Sequence, residues 1–274
     1  MTTIYCNPTN LAIKLFEGAP GDRYVLSCDT YYALDSYTQK IVGGTTWATR
    51  TRIEARVRKG VRDPVVFDAN GADFALRLAH SINSNIEFVG ITFANGANNT
   101  VKVTYASDTE IAHHVRFTDC EITGAYRSGL LATGTHHVEI VGGSSHHNGS
   151  TGNLDHGLYL ASSNCLVSRH DSYANVASGI CIYNGGGLIQ RSRVEYCRSW
   201  ANSQVGEYGA GILLASGDHI AYRNSVWGNG IGVQVYDDAV DTQVIDNVVG
   251  QQRHYKVYIS PRSTRTIERG TQLP

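Results

Sequence analysis

The 274-residue chain is sparse in what most folds lean on. It has one methionine, five prolines and 17% charged residues, and its formal net charge is −1. A near-neutral balance excludes a global field that would draw nucleic acid or a membrane surface. No apolar run is long enough for a membrane-spanning helix. Beyond the N-terminus no window keeps a 3.6-residue hydrophobic period, which excludes a helical bundle. The six cysteines (Cys6, Cys28, Cys120, Cys165, Cys181 and Cys197) show no CxxC or Cys/His metal spacing, so they read as small buried wall residues. A Cys6–Cys28 bridge within an N-terminal cap stays open. Met1-Thr2-Thr3 leads straight into Ile4-Tyr5 without a signal-peptide pattern, which leaves a cytosolic protein or one whose signal has been removed.

What is present is glycine, 29 residues of it, and a repeat. Ser172-Tyr173-Ala174-Asn175, Ser199-Trp200-Ala201-Asn202 and Val226-Trp227-Gly228-Asn229 follow one another at steps of 27, and Ser145-His146-His147-Asn148 stands one step earlier. A fixed period of this size marks a solenoid. Each unit holds a short β-rich run such as Val138-Glu139-Ile140 or Ile220-Ala221-Tyr222, then the turn, then a Gly-led run. The Gly-led runs include Gly157-Leu158-Tyr159-Leu160, Gly179-Ile180-Cys181-Ile182, Gly211-Ile212-Leu213-Leu214 and Gly232-Val233-Gln234-Val235. Their period of two makes them strands, and strands this short bury their apolar faces only by stacking. The expected fold is an all-β, single-stranded right-handed parallel β-helix of roughly seven or eight coils of about 21–32 residues. Asn95, Asn148, Asn175, Asn202 and Asn229 are expected to form a hydrogen-bonded ladder at a left-handed corner, with the aromatics before them stacked.

Residues 1–40 read as a cap and first strand, 41–260 as coils and 261–274 as a tail, one domain in all. Pro8 to Phe16 forms a short amphipathic helix with Thr9 or Asn10 at its N-cap, a lid on the open hydrophobic end. The first strand is expected at Tyr24-Val25-Leu26.

The cap, the turn Pro20-Gly21-Asp22, the strand after it, Asp29-Thr30-Tyr31 and the loop Gly44-Thr45-Thr46-Trp47 resemble the pectate-lyase-like β-helix superfamily. The later coils resemble parallel β-helix repeats of bacterial carbohydrate-active proteins. The resemblance implies a polysaccharide or oligosaccharide ligand, a monomer, and a secreted or periplasmic location. Polysaccharide lyases, glycoside hydrolases, epimerases and inactive members share this fold, so function must be argued from the site. His156-Gly157 also resembles part of the polygalacturonase motif, but that family's other motifs have no match.

The repeat breaks in two places. Ile180 follows Asn175 by five positions and Val233 follows Asn229 by four, whereas Leu158 and Ile212 each follow their Asn by ten. The insertions Gly149 to His156 and Ser203 to Ala210 should stand two coils apart, roughly 10 Å, and wall a cleft. Its candidate catalytic residues are His156, Asp155, Arg127, Tyr159 and Glu207. Candidate substrate-binding residues are Tyr183, Tyr208, Asp237, Gln234 and Lys256. Outward positions are expected at Tyr159, Cys181, Leu213 and Gln234, then at Ala161, Tyr183, Ala215 and Asp237. Two reactions suit such a site. β-Elimination needs a base, His156 or Tyr159, and a cation such as Arg127 to offset charge on a uronate carboxylate. Hydrolysis needs two carboxyls, drawn from Asp155, Glu207 and Asp237. The expectation is a lyase acting on a uronate polysaccharide, with a glycoside hydrolase or epimerase on the same scaffold as one alternative and a binding-only, structural or tail-spike-like β-helix as the other. No cofactor is required, although Ca²⁺ is compatible with the chemistry. No metal ligands are assigned: the pairs His113-His114, His136-His137 and His146-His147 read as stacked turn rungs.

Overall fold

The computed structural model describes residues 1–32, 41–152, 154–183, 189–204, 209–236 and 239–273, and the backbone alone of 34–35. The repeat folds as a parallel β-solenoid of about eight turns. Each coil crosses three faces in a fixed order. The first face holds strands such as Ile86–Val89, Leu166–Ser168, Arg193–Glu195 and Ile220–Tyr222. The second holds Glu121–Thr123, Ser144–His146, Asp171–Tyr173, Arg198–Trp200 and Ser225–Trp227. The third holds Val101–Val103, Leu158–Ser163, Ile180–Ile182, Ala210–Ala215 and Ile231–Tyr236. Strand Leu130–Val141 rounds the corner from the third face to the next coil's first face.

Alternation decides what faces inward. Leu158, Leu160, Ile180, Ile182, Ile212, Leu214, Val233 and Val235 are all fully buried in one continuous core, as the period of two requires. Toward the N-terminus the filling turns aromatic: Phe88 stacks on Phe117 at 5.4 Å, and Phe93 meets both edge-on. On the outside of the second face, His146, Tyr173, Trp200 and Trp227 form a continuous stack with centroid steps of 4.7, 4.5 and 5.2 Å. Asp171 and Arg198 pair in adjacent coils on the same face, an exposed contact of small energetic weight.

The Asn ladder lies inside the wall. The side-chain amide of Asn148 donates to Asn175 Oδ1 at 3.0 Å, Asn175 to Asn202 at 2.9 Å and Asn202 to Asn229 at 3.0 Å. Each acceptor oxygen also takes the backbone N–H of the Asn one coil earlier. Ala125 N–H caps one end and Gln252 Oε1 the other. Asn95 is not a rung: it is exposed, bonded to Asp68, and aligns with the residue before the ladder position. That preceding residue carries the left-handed turn, with φ of 53° at His147, 53° at Ala174, 52° at Ala201 and 67° at Gly228. The ladder Asn is therefore selected for its carboxamide and not for its backbone. A second ladder, Asn224 Nδ2 to Asn247 Oδ1 at 2.9 Å, holds the corner between the first and second faces.

Three histidines also bond backbone groups of neighbouring coils, two as acceptors and His170 as a donor. His219 Nδ1 accepts from Ser192 N–H at 3.2 Å, His156 Nδ1 accepts from Ser178 N–H at 3.1 Å, and His170 Nδ1 bonds Gly142 O at 2.9 Å. One sits in each of the three corners, and all are buried. Burial pushes each of them down to about 4.

Both ends depart from expectation. A strand, Thr3–Cys6, precedes the cap helix and pairs with Arg23–Leu26, so the solenoid begins before its lid. The helix spans Leu11–Glu17 and buries Leu11 and Leu15. Asn10 is its N-cap residue, but it is the Asn7 carboxamide that accepts from the N–H groups of Thr9 and Asn10. Cys6 is buried, Cys28 is exposed, and both are free thiols; the other four cysteines are buried. At the far end Ile267–Arg269 pairs with Gln243–Ile245, so a further first-face strand forms where a tail was expected.

Two outcomes follow. Asn175→Ala leaves the Asn148 backbone N–H without an acceptor and its side-chain amide with Ile122 O alone, and lowers unfolding free energy by about 1–3 kcal/mol, while Asn95→Gly changes it by less than about 1 kcal/mol; urea titration of both variants separates a wall rung from a surface residue. The three corner histidines are neutral when folded and titrate near 6.5 when unfolded. The unfolded chain therefore binds more protons between these limits, and stability present above pH 6.5 is lost as pH falls toward 4. Thermal midpoints measured across that range should drop, and His170→Gln should flatten the drop; a flat wild-type profile would contradict the buried neutral rings.

Candidate cleft on the third face

The outward residues of the third face form one column. Register places Arg77, Lys102, Leu131, Tyr159, Cys181, Leu213, Gln234 and Tyr258 in successive coils. The 149–156 insertion rises beside this column and faces the Tyr126-Arg127 turn of the coil before it. Between them lies a cleft of about 420 Å³, lined by Tyr126, Arg127, Leu131, Leu154, Asp155 and Tyr159, with Asn99, Ser128 and residues 150–152 completing the wall. The cleft thus sits one coil nearer the N-terminus than two matched insertions would place it. Most of the second insertion, including Glu207 and Tyr208, falls outside the described residues.

Asp155 holds the insertion in shape. Its Oδ2 accepts from the N–H groups of Ser150 at 3.1 Å and Gly152 at 2.9 Å, and the residue is 6% exposed. Ser128 Oγ donates to Leu154 O at 3.0 Å and ties the loop to the turn opposite. Arg127 is exposed at the rim and has no ion-pair partner among the described residues. Tyr159 is half-buried on the floor. Burial, with Cys181 and Tyr183 nearby, pushes its phenol up to about 12, so it stays protonated at neutral pH.

His156 lies beneath the floor. Its N–H donates to Ser128 Oγ, its Nδ1 accepts from Ser178 N–H, and Ser178 Oγ accepts from Ala210 N–H. It is a rung of a third ladder, buried and neutral, with its ring edge-on to Tyr159 at 5.1 Å. It positions Tyr159 and does not line the cleft. The insertion hid this rung in the sequence, because serine and histidine share no pattern there.

The other expected residues scatter along the wall. Gln234 is three coils from Tyr159, roughly 14 Å, and Lys256 belongs to the coil after it, roughly 19 Å away. Tyr183 stands in the next outward row, 6.4 Å from the Tyr236 ring. Tyr236, not Asp237, pairs with Ala215 and fills the outward slot assigned to Asp237, which lies outside the described residues. Sequence reasoning missed Tyr126, Leu154 and Asn99 in the cleft. It also missed Arg77 and Lys102 further up the column, each 5.5 Å from the Phe74 ring. The available signal was the alternation itself, which makes Lys102 an outward residue of its strand.

The histidine pairs stack as expected: His113 on His136 at 4.9 Å and His114 on His137 at 4.3 Å. Burial first, then the neighbouring rings, hold His113, His114 and His136 below the usual histidine value.

No family model matches the chain, and no curated protein matches it. Solved structures do. An alginate lyase from Paenibacillus sp. str. FPU-7 aligns with 99% of this chain and 95% of its own, at 18% identity and a TM-score of 0.72. The pectate lyase Pel9A aligns over 99% and 79%, at 12% identity and a TM-score of 0.65. The A-module of the Azotobacter vinelandii mannuronan C-5 epimerase AlgE4 aligns over 92% and 79%, at 16% identity and a TM-score of 0.59. At these identities the likeness is one of fold, and the fold is the right-handed parallel β-helix.

Proposed function

We propose that this chain is a polysaccharide lyase that cleaves a uronate-containing polymer by β-elimination, with the sugar chain lying along the third face. The observation that carries the reading is the make-up of the cleft. It combines an exposed arginine, a protonated tyrosine and, among the described residues, a single carboxylate, Asp155, whose Oδ2 is taken up by two loop N–H groups. Hydrolysis by paired carboxyls needs a second one across the bond. The structural neighbours that act on pectate and alginate agree with a uronate ligand, which the cations Arg127, Lys102 and Arg77 would meet along the column.

In this reading Arg127 pairs with the uronate carboxylate and offsets the charge that develops as the proton α to it departs. Tyr159 is the group placed to move protons. With the phenol pushed up to about 12, it serves the leaving glycosidic oxygen as a general acid. It accepts the α-proton only once a cation beside it stabilises the phenolate. The C–H and glycosidic C–O bonds break and a C=C bond forms next to the carboxylate; the α-proton passes to the Tyr159 phenolate, and the phenol so formed hands that proton to the leaving oxygen and restores the phenolate. Tyr126 and Leu154, 60% and 64% exposed, offer the rims against which sugar rings rest.

Incubation with a panel of pectate, alginate and other uronate polymers, followed by the ultraviolet absorbance of the unsaturated product, tests this. Wild type should generate absorbance on at least one polymer. Arg127→Ala and Tyr159→Phe, checked for unchanged circular dichroism, should each lose on the order of 100-fold in kcat/KM. Reducing ends without absorbance would replace elimination by hydrolysis, and retention on affinity gels without turnover would favour a binding protein. Full activity in both variants would remove the cleft from the mechanism.

A further inference from the structure

The corner between the third and first faces carries something that its turn does not require. In the coil before it, this corner reads Ser84-Asn85; two coils later it reads Ser163-Asn164. Asn85, His114, His137 and Asn164 share the left-handed turn, with φ of 57°, 52°, 56° and 56°. Serine and asparagine therefore suffice for the bend. The two coils between replace both residues with histidine: His113-His114 and His136-His137.

The replacement brings four imidazoles together. Rings stack between coils at interplanar angles of 10° and 7°. Within each coil the Nδ1 atoms face each other, at 2.8 Å for His113 and His114 and at 2.7 Å for His136 and His137. Ligand nitrogens of His114, His136 and His137 all lie within 4.8 Å of one another. All four residues are half-buried, so the group is packed yet open to solvent. Two neutral rings at such a separation share one proton between their Nδ1 atoms. Moving it to the donor ring's Nε2 frees both Nδ1 lone pairs with no net loss of a proton.

We infer that these four histidines form a binding site for a late divalent transition metal that ties the two coils together. Imidazole nitrogens without thiolate or carboxylate suit zinc, copper(II) and nickel, and disfavour calcium and magnesium. Metal–nitrogen bonds of about 2.0–2.1 Å put two ligating nitrogens about 2.9–3.4 Å apart. The pairs within a coil, at 2.8 and 2.7 Å, are slightly shorter than that range, and tilting the stacked rings toward each other across the coil step closes the longer gap. A site supplied with nitrogen from both coils is of the closed, structural kind. It is separate from the cleft and does not rest on the lyase reading.

The third pair is an internal control. His146 and His147 also approach at 2.8 Å, but His146 stacks on Tyr173 and its Nε2 engages Glu121 Oε1 at 2.8 Å. No second histidine pair lies beside it in the neighbouring coils.

Zinc titration of the metal-free chain by calorimetry, with copper(II) electron paramagnetic resonance, tests the site. Wild type should bind one zinc ion per chain, show nitrogen coupling to copper, and gain thermal midpoint with added zinc. The double variant His114→Asn, His137→Asn uses the residues that already make this corner in adjacent coils, so its metal-free midpoint should match wild type. It should lose zinc affinity on the order of 100-fold. His146→Ala, His147→Ala should bind as wild type does. Undiminished one-to-one zinc binding in the Asn double variant would overturn the proposal, as would wild type failing to bind stoichiometrically at micromolar zinc.

Discussion

A coil that bends three times cannot satisfy all its own backbone at the corners, and the molecule depends on how those N–H groups find acceptors. Coils stacked about 4.8 Å apart bring a side chain of one within reach of the backbone of the next. Asparagine, serine and histidine at the corners accept the orphan N–H groups of a neighbouring coil: Asn175 accepts from Asn148 in the coil before, and His156 from Ser178 in the coil after. The energetic case is one of avoided loss, because a buried N–H without a partner costs about 1–3 kcal/mol. The apolar residues supply the bulk of the burial, but the rungs determine which coil sits on which.

This constraint also places the cleft. A ladder fixes the chain at both ends of an insertion, so the insertion can vary in length without shifting the strands beside it. Residues 149–156 leave the Asn148 rung and return at the His156 rung, and Asp155 closes the excursion on its own backbone. The loop therefore stands at a defined height over Tyr159, opposite Arg127. Stability and the proposed chemistry meet at His156, whose ring is bonded into the wall and packs edge-on against Tyr159.

The fold was legible because its period is written in chemically distinctive residues. The step of 27 from Asn148 to Asn229 and the alternation around Leu158, Ile180, Ile212 and Val233 describe the coils that the structure contains. The site was legible only in part. Arg127, Asp155 and Tyr159 do converge, since the long insertion and the outward strand position were both visible. His156 was misplaced because a rung and a loop residue look alike when the neighbouring rungs are serines. Thr3–Cys6 and Ile267–Arg269 were missed for another reason: a strand at either end has a partner on one side only, so its burial pattern is weak. The outward slot beside Ala215 belongs to Tyr236, two positions after Gln234 as the strand alternation requires.

In the proposed reading the third face seats an acidic sugar chain between the 149–156 loop and the Tyr126-Arg127 turn. The most direct measurement is a crystal structure of Tyr159→Phe soaked with a uronate oligosaccharide. A uronate carboxylate is expected on the Arg127 guanidinium, with the chain running past Tyr126 toward Lys102. Sugar bound on the first or second face, or in the third-face cleft with its carboxylates turned away from Arg127, would contradict it.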